Sequence, residues 1–183
     1  MSKDVYSDTE LLTLFRNESS SNQAFKWIVE KHQVKIYNHV RRLIIDHDDT
    51  DDVVQNTFIK AWRGLHNFRE DAQLFTWLYR IATNEALSFI KQKKLKYAIP
   101  FDEAQNQIGQ EFLYQGLDPG RIETRLQKAI MQLPAQQRII FNMRYYDELK
   151  YDEMAKIMGL TTGALKASYH HAVKKIEKFI TSH

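Results

Sequence analysis

The chain has no cysteine, so it can form neither a disulfide nor a thiolate metal site, and it suits a reducing compartment. Only six glycines and three prolines interrupt its 183 residues. Few turns are therefore forced, and long amphipathic patterns lead to an expected all-α fold. No apolar run approaches membrane-spanning length, and the N-terminal MSKDVYSDTE lacks the apolar core of a secretory signal. The expectation is a soluble, cytoplasmic chain with no membrane segment of its own. Neither charge sign dominates, since the net charge is +3, but the distribution is uneven. Residues 1–96 carry fifteen Lys/Arg and thirteen Asp/Glu. Residues 97–119 carry four acids and no cation, and residues 120–183 carry eleven Lys/Arg against six acids. Two basic blocks flanking an acidic stretch suggest two small helical domains, 1–96 and 120–183, joined by a flexible linker at 97–119. Separate basic blocks also favour nucleic acid as a partner.

Ser7-Asp8 can cap a first short helix bearing Leu11, Leu12, Leu14 and Phe15. Ser20 and Gln23, at capping-box spacing, open a longer helix. Its apolar seam is Phe25, Ile28, Val29, His32, Ile36, Val40, Leu43 and Ile44. His32 reads as a packed core histidine, because no ligand cluster accompanies it. The run His47–Asp52 closes that helix and starts the next, with Thr50 as cap and Asp51 and Asp52 matching the positive helix end. Neighbouring carboxylates at a helix start point apart, and no His/Cys set joins Asp48–Asp52. A metal site is therefore not expected, nor is any cofactor. Along VVQNTFIKAWRGL, Val54, Phe58, Ala61 and Leu65 form the core stripe. Asp52, Gln55, Asn56, Ile59 and Arg63 lie opposite, with Trp62 on the shoulder. An exposed Ile beside amides and an indole resembles a protein-docking face.

The stretch from Trp62 to Lys94 packs six aromatics among six cations. Placed on a helix after Asp71, residues Phe75, Leu78, Tyr79, Ala82, Ala86 and Phe89 share one buried face. Trp77, Arg80, Asn84, Ser88 and Lys91 fall on another, where burial explains neither an indole nor a row of cations. Asn67–Asp71 reads as a polar loop with Phe68 embedded in it. Aromatic rings that stack on bases, combined with cations that track phosphates, hold single-stranded nucleic acid. An ordinary core helix with snorkelling cations is the competing account.

From about Tyr97 to Pro119 periodicity fades, with a helical patch expected around Glu111–Tyr114. Four helical patterns follow. Ile122, Leu126, Ala129 and Ile130 mark the first, and Pro134 suits the first turn of the second, Ala135–Tyr146. Tyr151–Met158 is stopped by Gly159, and Thr161 or Thr162 caps a last helix reaching about Ile180. The core stripe of that helix is Leu165, Tyr169, Ala172, Val173, Ile176 and Phe179. Its outer face is Lys166, Ala167, His170, His171, Lys174 and Lys178. A short helix, a Gly turn and a longer helix with a basic outer face form a helix-turn-helix, or else a plain helical hairpin.

Two blocks resemble the bacterial sigma-70 family, specifically its extracytoplasmic function (ECF) group. DDVVQNTFIKAWRGLHNFREDAQLFTWLYRIATNEA is similar to the second conserved region, and LPAQQRIIFNMRYYDELKYDEMAKIMGLTTGALKASYHHAVKKI to the fourth. The resemblance implies a non-enzymatic factor that binds core RNA polymerase, directs it to promoter DNA and helps melt it. It also implies an anti-sigma factor as partner. By position, Asp52, Gln55, Asn56, Ile59 and Trp62 would dock on polymerase. Asn67, Phe68, Arg69, Asp71, Trp77, Arg80, Asn84, Ser88 and Lys91 would hold the minus-ten DNA, with one flipped base taken by the loop and Asn84. Phe68 and Trp77 would wall that base. Thr162, Lys166, Ala167, His170, His171 and Lys174 would read the minus-thirty-five element. The acidic linker would thread toward the polymerase interior.

Three positions depart from the family pattern: Asn56 stands where Glu is common, and Ser168 and His171 where Arg is common. The first removes a charged contact; the others weaken phosphate grip and guanine readout. Two rival classes fit the same residues. One is a helix-turn-helix regulator acting without polymerase, and the other is a helical nuclease using Asp48–Asp52.

Overall fold

The computed structural model describes residues 6–44, 46–97 and 122–182. Eight α-helices and one 3-10 turn are assigned among them. The chain divides into two compact units, residues 1–86 and 87–183, and the division falls inside a continuous helix. The expected linker helix at Glu111–Tyr114 lies outside the described residues.

In the first unit, α1 (Asp8–Arg16) opens on a capping box, with the Glu10 carboxylate accepting from Ser7 N–H at 2.6 Å. The N–H of Glu10 donates back to Ser7 Oγ at 3.3 Å. Leu11, Leu12 and Phe15 are its buried face. Helix α2 (Ser21–Ile44) buries Ile28, His32, Ile36, Val40, Leu43 and Ile44. The expected Ser20–Gln23 capping box gives way to a different bond. Ser20 Oγ turns back and donates to the Leu14 carbonyl at 2.7 Å, stitching the α1–α2 corner. Helix α3 (His47–Gly64) begins earlier than expected, because Asp46 is the better acceptor: its Oδ1 takes the Asp49 N–H at 2.9 Å. Thr50 is therefore not the cap but a buried residue of the first turn, donating to the Asp46 carbonyl. Its core stripe also rotates. Val53 and Thr57 join Phe58 and Ala61 inside, while Val54 is half-buried. After the 3-10 turn Leu65–Asn67, α4 (Leu74–Tyr97) places Leu74, Leu78, Tyr79, Ala82 and Ala86 in the core.

The second unit contains α5 (Ile122–Met131), α6 (Ala135–Tyr145), α7 (Tyr151–Met158) and α8 (Thr162–Ser182). Ala129, Ile130, Leu133, Phe141, Ala172 and Ile176 form its core, with Leu126, Tyr169, Val173 and Phe179 partly buried against it. Ile122, expected on the stripe, is 57% exposed at the helix start. Pro134 stands one place earlier than expected, at the N-cap of α6. Gly159 ends α7 at φ +66°, with its N–H bonded to the Ala155 carbonyl at 2.9 Å. A side chain there would meet the left-handed penalty of roughly 1–2 kcal/mol.

Candidate nucleic-acid interface

The outer face of α3 is built as its period predicts. Asp52, Gln55, Asn56 and Arg63 are exposed, and Ile59 is 41% exposed despite its apolar side chain. Trp62 is half-buried, with its ring edge-on to Phe15 at 5.3 Å and to Phe25 at 5.0 Å. These rings fix the indole as one wall of an open groove of about 660 Å³. Gln55, Phe58, Ile59 and Trp62 line it from α3, and Phe25 and Val29 from α2. The apolar pattern of α2 puts Phe25 and Val29 on its inner seam. Both are half-buried, an i, i+4 pair at the edge of the stripe that opens onto the groove.

In the loop after α3, Asn67, Arg69 and Asp71 are exposed, but Phe68 is only 8% exposed. Its ring lies 5.1 Å from that of Trp77, tilted by 41°. Phe68 thus supports Trp77 from below, and the two do not present a matched pair of open faces. Trp77 in turn sits so close to α3 that a Cβ on Gly64 would lie 3.1 Å from the indole. The small residue at 64 is what lets the indole seat there.

A cavity of about 380 Å³ adjoins this loop. Phe68, Glu70, Gln73 and Leu74 line one side, and Asp8 and Leu12 of α1 the other. Trp77 and Asn84 are not part of its lining. The contribution of α1 had no local signal, since Asp8 and Leu12 lie nearly sixty residues from the loop.

Asp8 is held by charge from α2. His32 Nε2 lies 3.2 Å and Lys31 Nζ 2.9 Å from its Oδ1. The His32 hydrogen bond, followed by that from Lys31, outweighs burial and holds the carboxyl at about 2. On α4, Arg80, Asn84, Ser88 and Lys91 are all exposed, at spacings that share one helical face. Lys60 of α3 and Glu85 of α4 pair at 2.5 Å, bracing the two helices.

Helix α8 is capped by Thr161, whose Oγ1 accepts the Ala164 N–H at 3.2 Å, and Thr162 is its half-buried first residue. Lys166, Ala167, His170, His171 and Lys174 are all exposed. The rings of His170 and His171 are 6.1 Å apart. Lys166 Nζ stands 5.6 Å from the Tyr151 ring and the Arg144 guanidinium 5.5 Å from it, gathering two cations at the start of the helix. Among the described residues, no three His, Cys, Asp or Glu side chains are grouped to hold a metal ion. No described helix is long and apolar enough to cross a membrane.

Residues 28–95 match Sigma-70 region 2, and residues 123–176 match Sigma-70, region 4. The RNA polymerase sigma-H factor of Pseudomonas aeruginosa is 31% identical over 172 residues, spanning 89% of this chain and 89% of that protein. The ECF RNA polymerase sigma-E factor of Escherichia coli is 32% identical over 178 residues, 92% of this chain and 93% of its own length. The fold is similar to that of the sigma factor RpoE of Bartonella quintana, solved with the anti-sigma factor NepR. That similarity has a TM-score of 0.65 and 21% identity, over 86% of this chain and 96% of that one. The two matched regions follow the order of the two motif blocks, and the chain belongs to the extracytoplasmic function group of the sigma-70 family, the factors that direct RNA polymerase.

Proposed function

We propose that this chain is a non-enzymatic initiation factor whose two helical parts divide the work of starting transcription. Residues 1–96 bind core polymerase and melt the minus-ten DNA, residues 97–119 link, and residues 120–183 grip the minus-thirty-five element. The α3 groove takes an amphipathic helix of polymerase. Ile59, Trp62 and Phe25 supply its apolar floor, and Asp52, Gln55 and Asn56 its polar rim. Arg80, Ser88 and Lys91 track the backbone of the separated strand, while the Asn84 amide donates to and accepts from a base edge. Asn67, Arg69 and Asp71 approach the same strand from the loop. Trp77, steadied by Phe68, stacks on a base, a contact worth roughly 1–3 kcal/mol. An extruded base has a second place to go in the cavity between α1 and the loop. Thr162, Lys166, Ala167, His170, His171 and Lys174 face the upstream duplex from the N-terminal part of α8. An anti-sigma protein is a further partner, as it is for the similar Bartonella factor.

The observation that carries this reading is the exposure of Arg80, Asn84, Ser88 and Lys91 on one face of a helix whose opposite face is core. Two substitutions separate its parts. Asn84→Ala is expected to reduce promoter opening, read by permanganate reactivity of the melted strand, with core binding unchanged. Ile59→Glu is expected to weaken core binding at least tenfold, because a charge enters an apolar anchor site. Unaltered opening with Asn84→Ala would refute the base-contacting role.

A further inference from the structure

His39 stands on the inner face of α2, between Ile36 and Val40 or Leu43, where the apolar pattern calls for a hydrocarbon side chain. It is completely buried. Its ring overlies that of Tyr79 on α4, centroids 3.9 Å apart. Both ring nitrogens are engaged by α4: Nδ1 lies 2.6 Å from the Tyr79 hydroxyl and Nε2 3.0 Å from Thr83 Oγ1. The proton inventory gives each bond a direction. Thr83 Oγ1 spends its hydrogen on the Tyr79 carbonyl at 2.8 Å, so toward His39 it can only accept. Nε2 must then carry the imidazole proton. In the neutral ring this leaves Nδ1 as the acceptor for the Tyr79 O–H. Four groups thus form a closed, directed circuit, Tyr79 O–H to Nδ1, Nε2–H to Thr83 Oγ1, and Thr83 O–H back to the Tyr79 carbonyl.

The circuit ends one residue before Asn84, and Tyr79 sits one residue before Arg80. Apolar packing of Leu78, Ala82 and Ala86 is non-directional. It sets how near α4 lies to α2 but leaves rotation and axial slip weakly determined. Directed bonds to two successive turns of α4 remove both freedoms.

We propose that His39, through Thr83 and Tyr79, is a positioning residue for promoter opening: it sets the rotation of α4 that aims Arg80 and Asn84 at the melted strand. This rests on the reading of α4 as the strand-contacting helix. Thr83→Val is the sharpest probe, since it keeps the shape of the side chain and removes only the hydroxyl. Thr83→Ser restores it. His39→Leu removes the circuit from the other side.

The three variants, with Asn84→Ala beside them, are compared in full-length chain bound to core polymerase. Opening is read by 2-aminopurine fluorescence at the minus-ten position, and core affinity and tryptophan-detected unfolding are measured in parallel. The expected result is an opening rate lowered on the order of tenfold by Thr83→Val and His39→Leu, with core affinity unchanged and Thr83→Ser near wild type. In the wild type, ¹⁵N shifts of the His39 ring are expected to report the Nε2–H tautomer. Normal opening with Thr83→Val and His39→Leu overturns the positioning role, even where Asn84→Ala is defective. Equal losses of opening and core affinity overturn it in favour of a general structural role. Normal opening with Asn84→Ala overturns the reading of α4 itself, and this proposal with it.

Discussion

The guanidinium of Arg16 lies 2.5 Å from the carboxylate of Glu70, tying the end of α1 to a loop residue at φ +59°. A non-glycine residue in that left-handed region costs roughly 1–2 kcal/mol, while an exposed ion pair returns about 0–1 kcal/mol. The ion pair alone does not offset that cost, so the loop conformation is also held by the burial of Phe68 and Leu74 on either side of it.

Two substitutions at Glu70 separate backbone strain from the ion pair. Glu70→Gly loses the pair but removes the strain, so stability of the first unit is expected to hold or rise by up to about 1 kcal/mol. Glu70→Val, β-branched at a positive φ, is expected to lower it by about 1–2 kcal/mol. Urea unfolding followed by tryptophan fluorescence measures this cleanly. Trp27, Trp62 and Trp77 all lie within residues 1–86, so the signal reports that unit alone.

Asp8 makes the same unit acid-sensitive. Its carboxyl is lowered from 3.8 to about 2, chiefly by the His32 hydrogen bond and secondarily by Lys31. The folded state thus binds its proton less readily than the unfolded chain. The stabilisation is complete above about pH 4 and is lost as pH falls toward 2. Asp8→Asn is expected to be less stable than wild type at neutral pH and to show a flatter decline over that acid range. Tryptophan-detected urea titrations at a series of pH values test this. Parallel wild-type and variant profiles would exclude the Asp8–His32–Lys31 cluster as the source.

In the second unit, Arg138 is 4% exposed, with Nη1 3.5 Å from Met131 Sδ and Nε lacking a hydrogen-bond partner among the described residues. Burial lowers its pKa from 12.5 to about 10. For a cation this sign means a cost carried at neutral pH and relieved only as pH rises past about 10. Arg138→Met, similar in length and uncharged, is expected to raise the stability of this unit by on the order of 1 kcal/mol at pH 7. Thermal unfolding followed by far-ultraviolet circular dichroism checks it, and a lower midpoint would show that the guanidinium is satisfied in solution.

Much of the fold was legible because helical period is a local property. The stripes Leu11/Leu12/Phe15 on α1 and Leu165/Ala172/Ile176 on α8 are buried as their spacing implies. Gly159 stops α7 in the left-handed conformation expected of it. The same period placed Gln55, Ile59, Arg80, Asn84, Lys166 and His170 on outer faces, and all are exposed. Errors arose where two residues competed for one role. Asp46 outcompeted Thr50 as the cap of α3, because its carboxylate is the stronger acceptor one turn earlier. Ser20 found a carbonyl on the preceding corner in place of its own helix start.

Sequence alone, through periodicity and the order of two motif blocks, was enough for the all-helical class, the outer faces and the sigma-70 family. Those depend on neighbours a few residues apart. What it could not specify are meetings between distant residues. Asp8 lines a cavity with Phe68, Phe25 closes a groove with Ile59, Arg16 restrains Glu70, and His39 locks onto Thr83. Each depends on how whole helices rotate against one another, a choice made by the packing of the entire core. No single stripe encodes it. The stretch around Trp77 and Asn84 therefore owes its chemistry to its own residues and its placement to Gly64 of α3 and His39 of α2, which pack against it.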